Sequence, residues 1–116
     1  MSTATSAERF GERLAEVQAA VASAGISAML IGVGPELEWL TGYAAHGNER
    51  LNLLAIGPSG PVAFITPRLE LGAARQALGL ASGGVRLLTW EETEDPFALV
   101  PGLLALVGIA VWWRQR

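Results

Sequence analysis

The chain has 116 residues, 51% of them apolar and 16% charged, which bounds it to a single domain with a real core and excludes a disordered chain. It contains no cysteine, which excludes a disulfide scaffold, a thiolate nucleophile and a Cys-based metal site. The net charge is −3 with every basic residue an Arg, so no basic stripe for nucleic acid is present, and a single His and a single Asp leave little for a hydrolytic or metal site.

Residues 1–5 read as a frayed tail, Ser6 as a cap, and the remainder of 1–116 as one domain. Phe10, Leu14, Val17 and Val21 repeat at helical spacing and Gly25 follows as a stop, which predicts a helix over 7–24. Glu8, Arg9, Glu12, Arg13 and Glu16 break this stretch, so it is no signal-peptide core, and a cytoplasmic protein is expected. The run 28–31 reads as a buried strand bounded by glycine. Pro35 suits the first turn of a short helix ending at Leu40, before Thr41-Gly42. A polar loop follows over 43–50.

Two apolar runs, 51–56 and 61–66, flank Gly57-Pro58-Ser59-Gly60 and predict a hairpin buried on both faces. Pro67 opens a helix to about Leu80, with Leu69, Ala73, Ala77 and Leu80 on one face. A fourth strand is expected over 85–90 and a further helix from Pro96. Residues 97–113 are uncharged and end in Trp112-Trp113 before Arg114 and Arg116. They read as a buried helix, a break at Gly108 and a central strand, with a short membrane anchor as the alternative. The alternation α-β-α-β-β-α-β-α-(β) argues for an α/β sheet with helices on its faces.

Chemical motifs are sparse. Gly32-Val33-Gly34 lacks the third glycine of a dinucleotide fingerprint, because position 37 is Leu37. Ser59 lies in a Gly/Pro turn and not in a nucleophile elbow. Glu91, Glu92, Glu94 and Asp95 precede Pro96, where acids favour a helix start, and no second cluster completes a two-metal site. The loop 41–50 is the most suggestive segment, gathering Tyr43, His46, Asn48, Glu49 and Arg50 between apolar elements. An Arg there suits bidentate contact with a carboxylate.

The stretch Gly34-Pro-Glu-Leu-Glu-Trp-Leu-Thr-Gly-Tyr43 with Glu49-Arg50-Leu51 resembles the N-terminal domain of the creatinase/Xaa-Pro peptidase family. Ala24-Gly25-Ile26-Ser27-Ala28, the hairpin with Gly60-Pro61-Val62, Pro67-Arg68-Leu69-Glu70 and Trp90-Glu91-Glu92-Thr93 extend the likeness over about residues 8–107. The resemblance implies a mixed α/β sheet of about five to six strands with flanking helices. It also implies a C-terminal pita-bread catalytic domain as partner, with two divalent metal ions (Mn, Co or Zn) held outside this chain. Members of the family cleave X-Pro bonds or hydrolyse creatine, and none of the expected ligands is present here. The N-terminal domain of such enzymes contributes to homo-oligomers and to the substrate cleft. Matched by position, Tyr43, His46 and Arg50 are the contact residues expected here, whereas Trp39 and Leu40 are expected in the core. No nucleic acid partner is expected. A stand-alone interaction module of the same fold is the alternative. The abrupt end at Trp112-Trp113-Arg114-Gln115-Arg116 departs from the family, and a fragment, a frame-shifted reading and a stand-alone protein all fit it.

Overall fold

The computed structural model describes residues 6–45, 51–81, 84–91 and 95. Helix α1 spans Ser6–Ala24 and buries Leu14 and Val21, with Val17 packed beside them. Gly25 ends it at φ 68, and Ile26 N–H returns to the Val21 carbonyl at 3.3 Å. This left-handed stop turns the chain into strand β1, Met29–Ile31. Pro35 opens α2, Pro35–Thr41, whose buried side is Leu37, Leu40 and Thr41.

Strands β2, Leu53–Ile56, and β3, Val62–Pro67, form the expected hairpin, pairing Leu53 with Ile65 and Ala55 with Ala63. A 3-10 turn, Arg68–Glu70, then leads into two short helices, α3 (Leu71–Gln76) and α4 (Leu78–Ala81). Strand β4, Val85–Trp90, returns parallel to β3. The sheet order is β1-β2-β3-β4, with antiparallel β1–β2 and β2–β3 pairs, so it is mixed. It has four strands among the described residues, fewer than expected. The helix expected from Pro96, the last strand and the alternative anchor over 97–113 all lie outside those residues.

Period-2 alternation divides the two central strands. Leu54, Ile56, Val62 and Phe64 point to one face, where α1, α2, α3 and α4 supply Leu14, Val21, Leu37, Leu40, Ala74 and Leu80. Ala55, Ala63, Ile65 and Trp90 form a second buried cluster on the other face, with Leu51, Leu53 and Leu88 against it. Burial on both sides explains the near-continuous apolar runs of β2 and β3.

Four expectations need correction. Among the described residues strand β1 lies at the edge of the sheet and is not buried: Met29 is 37% and Leu30 46% exposed. The helix expected from Pro67 is broken, because Ala77 adopts the extended conformation (φ −68, ψ 125) between α3 and α4. Its expected inner face also shifts, since Leu69 is 71% exposed and Ala74, Ala77 and Leu80 are the buried residues. Finally, Trp39 is on the surface rather than in the core, with the Arg13 guanidinium 4.6 Å above its ring and donating to its carbonyl. Leu40 is buried as expected.

Candidate functional site at one end of the sheet

The register fixes which loops share an end. Ile31 opposes Leu54, Leu53 opposes Ile65, and Pro67 lies beside Trp90. The carboxyl ends of β1, β3 and β4 therefore meet the entry to β2, which is where α/β sheets commonly place their sites. The opposite end holds a shallow groove of about 150 Å³ among Leu14, Gln18, Val62, Gly11, Gly60 and Gly84, with no ionisable lining residue among the described ones.

Tyr43 is delivered to the first end by the way α2 stops. Gly42 sits at φ 77 and donates to the Glu38 carbonyl at 2.7 Å. A side chain there would be strained, and a Cβ would also meet Phe10 Cζ at 3.0 Å. The Thr41 hydroxyl donates to the Leu37 carbonyl at 2.7 Å and accepts from the Tyr43 N–H at 3.0 Å. The Tyr43 ring is buried edge-on against Phe64, with centroids 6.0 Å apart.

The Tyr43 hydroxyl donates to Glu70 Oε1 at 2.7 Å. Extending the β2–β3 register by one pair sets Asn52 opposite Thr66, and the Thr66 hydroxyl donates to Asn52 Oδ1 at 2.7 Å. That contact turns the Asn52 amide so that Nδ2 faces Glu70 Oε1, at a longer 3.5 Å. Asn52 and Thr66 are both buried. Glu70 Oε2 is also shut off from solvent and has no hydrogen-bond partner among the described residues. Burial raises the Tyr43 pKa well above its ordinary value, the hydrogen bond and negative charge of Glu70 raise it further, and Thr66 opposes them. Tyr43 is thus a fixed neutral donor and not a mobile base.

On the other face, the Trp90 indole N–H donates to the Leu51 carbonyl at 3.0 Å. Arg68 pairs with Glu91 at 2.7 Å on the surface, a contact worth little in free energy. Of the expected contact residues, Tyr43 lies in this cluster, while His46 and Arg50 are outside the described residues. Sequence reading missed Asn52, Thr66 and Glu70 as a group. The one signal for them was Glu70, the last residue of Pro67-Arg68-Leu69-Glu70. Among the described residues, no three His, Asp or Glu side chains converge as metal ligands. No described helix is long and apolar enough to cross a membrane.

Comparison with known proteins places this geometry. The family model of the creatinase/prolidase N-terminal domain matches residues 13–111. The probable dipeptidase PepE of Mycobacterium tuberculosis (strain H37Rv) is 38% identical over 104 residues, which is 90% of this chain but 28% of that protein. The crystal structure of dipeptidase PepE from Mycobacterium ulcerans superposes with a TM-score of 0.79 at 31% identity, over 89% of this chain and 28% of that one. The N-terminal domain of a Xaa-Pro dipeptidase from Lactobacillus brevis gives 0.73 at 18% identity, over 84% and 69% of the two chains, a likeness of fold alone. The chain therefore spans little more than a quarter of the PepE relatives.

Proposed function

This chain belongs to the creatinase/prolidase N-terminal domain family, and we propose that it works as the non-catalytic N-terminal part of a Xaa-Pro dipeptidase-like metallohydrolase. Its work in this reading is to support self-association and to shape the substrate cleft. The family match over 13–111, at a share of 28% of the PepE relatives, carries the proposal, because the bulk of such a protein lies in another domain. Two divalent metal ions and the groups that hold them belong to that catalytic domain. Tyr43, His46 and Arg50 are the residues assigned to the cleft or to a partner. Tyr43 supplies a neutral hydroxyl, and Arg50 supplies a planar fork suited to a carboxylate.

The purified chain should show no turnover of an X-Pro dipeptide with added Mn²⁺. Robust metal-dependent turnover by the chain alone would overturn the assignment. In a protein that carries the catalytic domain, Arg50→Ala should impair substrate use while leaving the melting temperature unchanged. Sedimentation of that protein at rising concentration tests self-association.

A second reading, a stand-alone interaction module, has one observation in its favour. Ile26, Met29, Leu30, Val33 and Trp39 are all exposed large apolar residues, and they fall within one stretch around edge strand β1. An edge strand offers unpaired N–H and C=O groups to a partner strand. Stable capture of a partner by the chain alone, lost when Leu30 is replaced by Lys, would favour this reading over the first.

A further inference from the structure

We infer that strand β1 is the surface through which two copies of this chain pair, edge to edge and antiparallel, with Leu30 opposite its own counterpart. The inference rests on the self-association in the functional reading above and names its surface and register.

Among the described residues β1 is paired on one side only, with β2, through Met29–Ile56, Leu30–Ala55 and Ile31–Leu54. The outer side of such a strand offers backbone N–H and C=O groups to a neighbour, and proteins guard it with charge, proline or a bulge. This edge has none of the three. Residues 26–34 carry no charge and no proline, and the pairing with β2 runs in continuous register. Its side chains are uncovered as well: Ile26, Met29, Leu30 and Val33 are each more than a third exposed.

The occupant that fits this edge is a second copy. Each chain carries a net charge of −3, and the stretch 26–34 lets two like-charged molecules meet where neither is charged. The same stretch gives an oppositely charged partner nothing to select. The geometry is self-complementary. A two-fold axis perpendicular to the sheet sets two β1 edges antiparallel, and residues directly opposite then share a face. The axis that engages all three strand residues passes at Leu30. Leu30 meets its counterpart on the face of Ala55, and Met29 meets the second copy of Ile31 on the helix-covered face. Every side-chain contact is apolar on apolar. Three residues are too few to hold a disordered peptide against its loss of freedom, whereas a folded copy brings its strand already ordered. So short an edge buries less than the about 1,600 Å² of a standard interface, so the dimer is a weak one, in the micromolar range.

Sedimentation of the 116-residue chain across the micromolar to millimolar range tests this. The parent chain should move from monomer to dimer. Leu30→Lys places two like charges opposite each other at the axis and should weaken the dimer at least about tenfold, and Leu30→Glu should do the same. An equimolar mixture of the two variants should associate again, because opposite charges then face each other. Leu30 is nearly half exposed, so both variants should unfold in urea close to the parent. If either does not fold, Leu30→Cys decides. The chain has no other thiol, and opposite residues of an antiparallel pair lie about 4.5–5.5 Å apart at Cα, within disulfide reach. Oxidation should link two copies at least about tenfold faster than for Glu12→Cys, at an exposed position of α1. Dimerisation unchanged in Leu30→Lys overturns the inference and leaves self-association to another surface. No rescue in the mixture, or equal oxidation of the two thiol variants, overturns the two-fold pairing. A chain that stays monomeric throughout also overturns it. The functional reading is then decided separately, by sedimentation of a protein that carries the catalytic domain.

Discussion

Alkaline titration offers an unusually clean probe of this fold. Tyr43 is the only tyrosine, and with no cysteine and no lysine nothing else in the chain titrates between about pH 9 and pH 12. In the unfolded chain its hydroxyl ionises near pH 10. In the folded chain, burial first, then the hydrogen bond to Glu70 and its negative charge, hold the proton on to well above that value. A group with a raised folded pKa contributes its full stability below the unfolded pKa and loses it as pH climbs toward the folded one. Stability should therefore be flat up to about pH 10 and then fall by about 1.4 kcal/mol per pH unit, the slope for one proton. By pH 11.5 the loss should reach about 2 kcal/mol. For a domain of this size that is a fall of roughly 8 °C in melting temperature. Near-ultraviolet tyrosinate absorbance, read alongside circular dichroism, gives both halves of the measurement. The tyrosinate signal should rise only together with loss of secondary structure. A smooth ionisation centred near pH 10 with the fold intact would refute the burial and hydrogen bonding assigned to Tyr43. Tyr43→Phe should abolish the slope while costing about 2 kcal/mol at neutral pH, the loss of a hydrogen bond to a charged group.

Further outcomes follow from packing. Gly79→Ala would drive a Cβ to 2.6 Å from the Thr41 carbonyl oxygen and 2.7 Å from its Cα, backbone atoms that cannot swing away. Urea unfolding should show a loss of about 1–3 kcal/mol. Phe64→Ala, at a fully buried position in the helix-covered face, should cost about 3–5 kcal/mol in the same assay. Arg13→Ala removes a guanidinium lying over Trp39 and over Phe10 at the surface, and should cost no more than about 1 kcal/mol.

The elements governed by local pattern were legible in the sequence. The repeat of Leu14, Val17 and Val21 with Gly25 defines α1, Pro35 and Gly42 bracket α2, and two apolar runs around a Gly/Pro turn define the hairpin. What failed depends on neighbours distant in sequence. Leu69, Ala73, Ala77 and Leu80 keep helical spacing, yet the chain breaks at Ala77, after which α4 brings Gly79 against Thr41. The apolar run of β1 looks central until the register leaves it at an edge. Trp39 was recoverable, since Leu37, Leu40 and Thr41 define the inner side of α2 and leave it on the other. The polar cluster was not: Tyr43, Asn52, Thr66 and Glu70 meet only through the β2–β3 register and the turn that follows it. The family resemblance pointed to Tyr43, but not to the residues it meets.

The parallel joint between β3 and β4 has a consequence for how the molecule assembles. The hairpin closes across a short turn and forms early on the microsecond scale. Strand β4 can add only after the chain has made its crossover through α3 and α4, so its closure entropy is paid before its contacts are gained. Until that happens the outer edge of β3 is open, and it carries an apolar row of Val62, Ala63, Phe64 and Ile65. An intermediate stalled at this point presents a sticky strand to its neighbours. Slowing the crossover, for instance by crowding the α4–α2 contact at Gly79, should therefore increase aggregation during refolding beyond what the lost stability alone accounts for.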